Sequence, residues 1–206
     1  MSTCKLLSAL TAALIVLLPV SAPQASQGAG EIAAIRRAVF EDPQAPVMGN
    51  PKGSRILVAF SDYNCGFCRK VTPQVAALIA TDPQLKVVVH EVPIFGEGSR
   101  YAAMAALAAG EQGRYAQFHR ALMASRGKLD AASVLRVARE AGLDVPRLER
   151  DMQAPAIAAQ IEQSLALADR IGLVGTPSFI AGDRAVFGYL SQKDLAALVA
   201  EAHPEP

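Results

Sequence analysis

The sequence predicts an α/β fold: a strand–helix–strand unit, a long helical block, then a strand pair and a closing helix. Three observations predict it. The apolar run Ile56-Leu57-Val58-Ala59-Phe60-Ser61 leads into Cys65-Gly66-Phe67-Cys68 and then into Val71, Val75, Leu78 and Ile79 at helical spacing. Lys86 to Val92 has an unbroken Val87-Val88-Val89 centre, the pattern of a strand buried on both faces. Ser178 to Gly182 and Ala185 to Phe187 are β-type runs joined by Gly182-Asp183, a tight-turn signal.

Taken in order, the chain opens on Lys5, an uncharged apolar stretch from Leu6 to Val20, and small residues from Ser21. This succession predicts a secretory signal peptide over 1–25, cut after Ala25; the apolar stretch is short for a membrane span. Residues 26–54 form an N-terminal arm. Its helix is expected over Glu31 to Phe40, with Ile32, Ile35 and Val39 on one face. Asp42-Pro43 ends that helix, and Pro46, Gly49, Pro51 and Gly53 mark a loop. The main domain is 55–206. The helix after the cysteines should kink near Pro73, which lacks a ladder donor. Segments 99–110, 114–125, 131–141 and 154–170 have helical patterning, with Asp130 and Asp144 as caps or loop residues, and make an insertion of about 97–171. Ser191 caps a last helix running to Glu201.

A chain of 206 residues suits one domain with a sizeable core. A net charge of +1 and the lack of any Lys/Arg-rich run argue against a nucleic-acid partner. Loss of the leader would remove Lys5 from the 20 basic residues and Cys4 from the three cysteines. The charges then balance, and both remaining cysteines lie in Cys65-Gly66-Phe67-Cys68. A loop this short is a poor structural staple, because it constrains little unfolded chain. In an oxidising compartment its value is chemical. A sulfur at a helix start faces unpaired N–H groups and the positive end of the helix dipole, which favour a thiolate. Cys65 is therefore expected to be the exposed nucleophile with a lowered pKa. Cys68, one turn on, is the resolving thiol.

The order βαβ, helical block, ββα around a Cys-x-x-Cys reads as a thioredoxin-like fold with a helical insertion domain between the second and third core strands. Phe60-Ser61-Asp62-Tyr63-Asn64-Cys65-Gly66-Phe67-Cys68 resembles the active-site segment of DsbA-like periplasmic thiol:disulfide oxidoreductases, in particular their Com1-like and ScsC-like branch. Glu91 to Gly96, Gly113 to His119 and Val174 to Phe179 are similar to the same group. The resemblance covers roughly residues 31–200.

It implies disulfide exchange with folding client proteins in the periplasm or otherwise after export, with no cofactor beyond the redox-active Cys65–Cys68 pair. The partners implied are unfolded or misoxidised exported proteins and a membrane redox protein. It also implies that Thr176-Pro177 is cis and lies against the cysteines, where the Thr176 backbone pairs with an extended client. With Phe67, these two residues are the candidate substrate-binding positions. Glu91 is a candidate proton shuttle for Cys68, or a strand-end charge. Asp62 and Tyr63 either shape the site edge or serve the turn. His119 reads as a packed or solvated histidine.

Between its cysteines DsbA carries Pro-His and thioredoxin Gly-Pro; this chain has neither. The relatives bracket a potential between roughly −270 and −120 mV. Gly66-Phe67 lacks a charge-stabilising histidine, and Thr before the proline resembles disulfide isomerases more than DsbA. Both favour isomerisation over oxidation. A zinc site would need a second ligand pair, and a c-type haem would need His where Arg69 stands. Copper binding by two thiolates and a noncatalytic chaperone-like module are the rival readings.

Overall fold

The computed structural model of the protein describes residues 24–202. The leader expected at 1–25 falls outside them except for its last two residues, and Cys4 and His203 lie outside as well. Five strands form one sheet: β1 (Val47–Gly49), β2 (Arg55–Ser61), β3 (Leu85–Glu91), β4 (Ser178–Ala181) and β5 (Arg184–Phe187), in the order β1-β3-β2-β4-β5. β2 and β3 run parallel, with Ser61 opposite Glu91, and the other pairs are antiparallel. Eight helices are described: α1 (Gln24–Phe40), α2 (Gly66–Thr81), α3 (Glu97–Gly110), α4 (Tyr115–Ala124), α5 (Ala131–Glu140), α6 (Val145–Asp151), α7 (Pro155–Arg170) and α8 (Gln192–Ala202). This is the expected α/β thioredoxin-like fold, with α3 to α7 inserted between β3 and β4.

The period-two alternation of the central strands feeds two cores. Leu57, Ala59, Val87 and Val89 pack with α2, α3, α4 and α8. Val58, Phe60 and Val88 pack with Val39 of α1 and Leu167 and Ala168 of α7. Within α2, Cys68, Val71, Val75 and Leu78 are buried. Fully burying an apolar side chain of this size contributes about 1.5–3 kcal/mol, so the stripe fixes the helix on the sheet. Pro73 lies on its exposed side, and the helix continues through it to Thr81.

Several boundaries differ from expectation. α1 begins at Gln24 rather than Glu31; Gly28 and Gly30 weaken a helix by about 1 kcal/mol each without breaking it. Val47–Gly49, read as loop, is a short edge strand whose ladder partner is β3. Its burial comes from tertiary pairing, which the Pro and Gly around it disguise. α3 starts two residues early, at Glu97. α6 was missed altogether: Asp144 caps it, accepting from Arg147 N at 3.0 Å, and Pro146 sits in its first turn, where a missing N–H is harmless. Asp130 caps α5 in a reciprocal capping box with Ser133. Ser191 and Asp194 exchange hydrogen bonds at the start of α8. The β4–β5 turn is the expected two-residue hairpin, with Gly182 at φ +55°.

Candidate active site

Cys65 is the residue that starts α2. Its extended backbone (φ −79°, ψ 118°) turns the sulfur back over the first helical turn, where it accepts a hydrogen bond from Cys68 N at 3.3 Å. The Thr176–Pro177 peptide bond is cis, and the Cys65 thiol donates to the Thr176 carbonyl at 3.2 Å. Both cysteines are free thiols. The structure thus brings Cys65, Cys68, Thr176 and Pro177 together.

The two sulfurs have opposite tendencies. The Cys68 thiol, hydrogen-bonded to Cys65, does most to hold the Cys65 pKa down, to about 6. Burial works against it. The Thr176 side chain and the N–H groups of Cys68 and Phe67 add to the lowering. The helix start invoked from sequence therefore contributes, but after the partner thiol. The same pairing, with burial, pushes Cys68 far up, while the Ser61 side chain and the Asp62 backbone pull it back. A nucleophile that ionises near neutrality beside a thiol that stays protonated is the asymmetry that exchange requires. Cys65 is not the exposed group expected: it is 3% exposed, against 0% for Cys68, because the Thr176 segment lies over it. Its advantage is electronic rather than one of access.

Phe67, between the cysteines, is 61% exposed. Val174, just before the cis-proline segment, is 83% exposed, and Ile94 and Phe95 are about half exposed. Ile94, Val174 and Gly175 line one concavity of about 210 Å³. Exposed apolar groups therefore stand at the start of α2 (Phe67), next to the Thr176–Pro177 segment (Val174) and on the loop after β3 (Ile94 and Phe95).

Asp62 holds the Ile94–Phe95 part of that surface. Its buried carboxylate accepts from Asn64 N (2.6 Å) and the Ser99 hydroxyl (2.7 Å) through one oxygen. The other oxygen accepts from Ile94 N (2.7 Å) and Phe95 N (3.0 Å). Asp62 therefore does both things the sequence allowed: it makes the turn and shapes the edge. Two residues were missed. Asn64 is braced to Leu129, accepting from its N–H at 2.7 Å and donating to its carbonyl at 3.1 Å. A Cβ at Gly98 would collide with that same carbonyl, so glycine permits the approach. Arg69 donates to the carbonyls of Tyr63, Ser125 and Gly127 and ties the α4–α5 loop to α2. Nothing in spacing announces either role, since the backbone atoms of the α4–α5 loop that they hold lie 56 to 65 residues away.

Glu91 is buried, 2% exposed, at the end of β3. It lies in register with Ser61, whose side chain interacts with the Cys68 sulfur. Tyr63 and Tyr115 both donate to its Oε1, at 2.6 and 2.7 Å. Burial raises its pKa to about 7 despite those two donors. His119 is packed, as the sequence reading had it, but against this group: its Nδ1 is 2.9 Å from the Tyr63 hydroxyl. The Tyr115–His119 spacing of one helical turn was the available signal.

A paired-thiol helix start facing a cis-proline segment on a five-stranded thioredoxin-type sheet defines a thiol–disulfide oxidoreductase. The chain belongs to the DSBA-like thioredoxin domain family, which it matches over residues 56–200. It is similar to a thioredoxin-like oxidoreductase from Silicibacter pomeroyi DSS-3: 48% identity, a TM-score of 0.80, and 83% of this chain and 99% of that one covered. It is also similar to the thiol-disulfide exchange protein alpha-DsbA2 from Wolbachia pipientis, at 28% identity and a TM-score of 0.77, covering 87% and 99%. A curated relative, the Na(+)/H(+) antiporter NhaA 3 of Salinispora tropica, is 29% identical over 164 residues. These are 78% of this chain and 25% of that protein, so the chain spans about a quarter of the relative's length.

Proposed function

We infer that the protein is exported and exchanges disulfides with folding client proteins in the periplasm, favouring isomerisation over net oxidation. The observation that carries this reading is the asymmetric thiol pair beneath the Thr176 backbone. Cys65 thiolate attacks a client disulfide, one client sulfur leaves as a thiolate, and a Cys65–client disulfide forms. Cys68 then loses its proton and attacks the Cys65 sulfur, releasing the client sulfur as a thiolate, or a different client thiolate attacks the client sulfur of the mixed disulfide, closes a different client disulfide and expels Cys65 as a thiolate. The second route is isomerisation, and it leaves the catalyst reduced.

Three features support that preference. No histidine stands between the cysteines. Thr176 precedes the cis proline. Cys65 at about 6 is less acidic than the DsbA thiol of about 3.5, and a less stabilised thiolate makes a less oxidising disulfide. Phe67, Thr176 and Pro177 are the client-contacting positions, with Ile94, Phe95 and Val174 extending them as an apolar rim for unfolded chains. Glu91 is the proton acceptor for Cys68, reached beside Ser61. A membrane redox protein resets the pair. Export rests on the Lys5, Leu6–Val20, Ser21–Ala25 succession.

The test pairs unscrambling of misoxidised ribonuclease with oxidation of the reduced, unfolded enzyme, alongside the glutathione equilibrium of Cys65–Cys68. Unscrambling with a potential well below about −120 mV is expected. Strong oxidation without unscrambling, at a potential near that value, would overturn the isomerase preference and leave the pair as an oxidase.

A further inference from the structure

A buried acid can serve Cys68 repeatedly only if its own proton is exchanged with solvent. Glu91 has no direct route: it is 2% exposed, and its Oε2 has no hydrogen-bond partner. Its Oε1, in contrast, heads a continuous chain. Tyr63 donates its hydroxyl proton to Oε1 at 2.6 Å, and the same hydroxyl oxygen is 2.9 Å from His119 Nδ1. Tyr115 donates to Oε1 from the other side at 2.7 Å, and its contact with Nδ1 is longer, 3.4 Å. Each tyrosine has one proton, and each gives it to the carboxylate. The Tyr63 oxygen can then only accept from the imidazole, so the Nδ1 of neutral His119 carries the hydrogen. That leaves Nε2 bare on a ring that lines a cavity of about 280 Å³. The cavity runs from Ser61 and Pro177 to Thr72, Ala76 and Arg120, and Arg120 at its edge is exposed.

We propose that Tyr63 and His119 form a proton relay between buried Glu91 and solvent at the mouth of this cavity, with Tyr115 positioning the carboxylate. The proposal rests on the reading of Glu91 as the proton donor and acceptor for Cys68. When the Cys65–Cys68 disulfide is reduced, an attacking thiolate bonds to Cys65. The S–S bond breaks, and its electron pair leaves on the Cys68 sulfur. Cys68 takes a proton from Glu91. Glu91 takes the Tyr63 hydroxyl proton, Tyr63 takes the Nδ1 proton of His119, and Nε2 takes one from solvent. The chain now points outward. That is the polarity needed to carry a proton away when Cys68 next attacks a mixed disulfide, so one redox cycle restores the starting arrangement.

The surrounding charges fit this assignment. Glu91 faces Tyr63, Tyr115 and Asp62; His119 faces the two tyrosines, Glu91 and Arg120. Burial first, then Arg120, lowers the His119 pKa to about 4, which keeps the ring neutral near pH 7 and able to pass a proton through.

The test uses the oxidised protein reduced by dithiothreitol between pH 6 and 8, quenched with acid and read by mass spectrometry. His119→Ala should slow reduction about tenfold or more, leave the glutathione equilibrium where it was, and regain rate when free imidazole enters the cavity. Folded His119→Ala reacting at the wild-type rate, or slowed with no rescue by imidazole, would overturn the relay. Should His119→Ala not fold, Tyr63→Phe, which keeps the ring, decides: slowing at an unchanged equilibrium supports the relay, and a wild-type rate refutes it. Glu91→Gln separates the two ideas. If it slows reduction while His119→Ala does not, the relay fails and the acid stands. If neither slows, the reading of Glu91 fails as well.

Discussion

His90 and Glu91 are neighbours in β3, yet the strand's alternation sends them into different layers. His90 stacks on Phe60, with ring centroids 4.8 Å apart, and places Nε2 3.0 Å from the Val39 carbonyl under α1. Burial lowers its pKa. Glu91 enters the layer under α2, beside Ser61, Tyr63, Tyr115 and His119. Both are buried ionisable groups, and both are pushed toward their neutral forms. Only Glu91 is in register with Ser61, whose side chain interacts with the Cys68 sulfur. The α1–α7 layer contributes packing, and the α2–α4 layer contributes packing and chemistry. A perturbed pKa alone does not mark a functional residue, and the proposed role of Glu91 rests on the layer it occupies.

The largest break in that comparison lies at the sulfurs. Cys65→Ser should abolish turnover in the ribonuclease assay, and Cys68→Ser should instead accumulate a mixed disulfide with client, visible on non-reducing gels. Turnover by Cys65→Ser would move the chemistry off the α2 face.

Asp62→Ala is the next in size. It strips acceptors from two loop N–H groups, a turn N–H and the buried Ser99 hydroxyl, and should cost about 3 kcal/mol in urea unfolding. Asp62→Asn keeps one carboxamide oxygen and should lose less.

Glu91→Gln sharpens the contrast through pH. The folded pKa of about 7 lies above the unfolded value near 4.3, so the folded state holds the proton more tightly. Its contribution is fully present below the unfolded pKa and is lost as pH rises through the folded one. Relative to Glu91→Gln, the wild type should therefore lose about 3 kcal/mol between pH 4 and pH 8. Urea midpoints of the two proteins across that range check the sign; a difference that does not vary with pH would mean that Glu91 ionises normally.

The smallest effect belongs to the other layer. His90→Leu exchanges one hydrogen bond to Val39 for apolar contact with Phe60, and should shift stability by about 1 kcal/mol while leaving ribonuclease unscrambling at the wild-type rate. A large loss of activity in a folded His90→Leu would erase the distinction between the faces.

Much of this arrangement was legible beforehand. The strand–Cys-x-x-Cys–helix seam, the valine-rich β3 and the Gly182 hairpin each have a local signature, and local signatures survive folding. The cis Thr176–Pro177 contact was legible only through family resemblance, since Cys65 and Thr176 are 111 residues apart. What sequence could not yield was set by tertiary contact. β1 is a strand only because β3 pairs with it. Cys65 is covered only because the Thr176 segment crosses it. Asn64 and Arg69 matter through backbone carbonyls and N–H groups, which carry no residue identity. Glu91, Tyr63 and His119 were all noticed singly, and nothing in their order along the chain joins them.

Two thiols three residues apart have opposite acidities. Alkylation of the reduced protein by iodoacetamide across pH 4–9, with site-resolved mass spectrometry, tests it most directly. Cys65 should be labelled first, with a midpoint of about 6, and Cys68 should stay protected throughout. Equal labelling of both cysteines with a shared midpoint near the free-thiol value of about 8.5 would show that the two thiols have the same acidity.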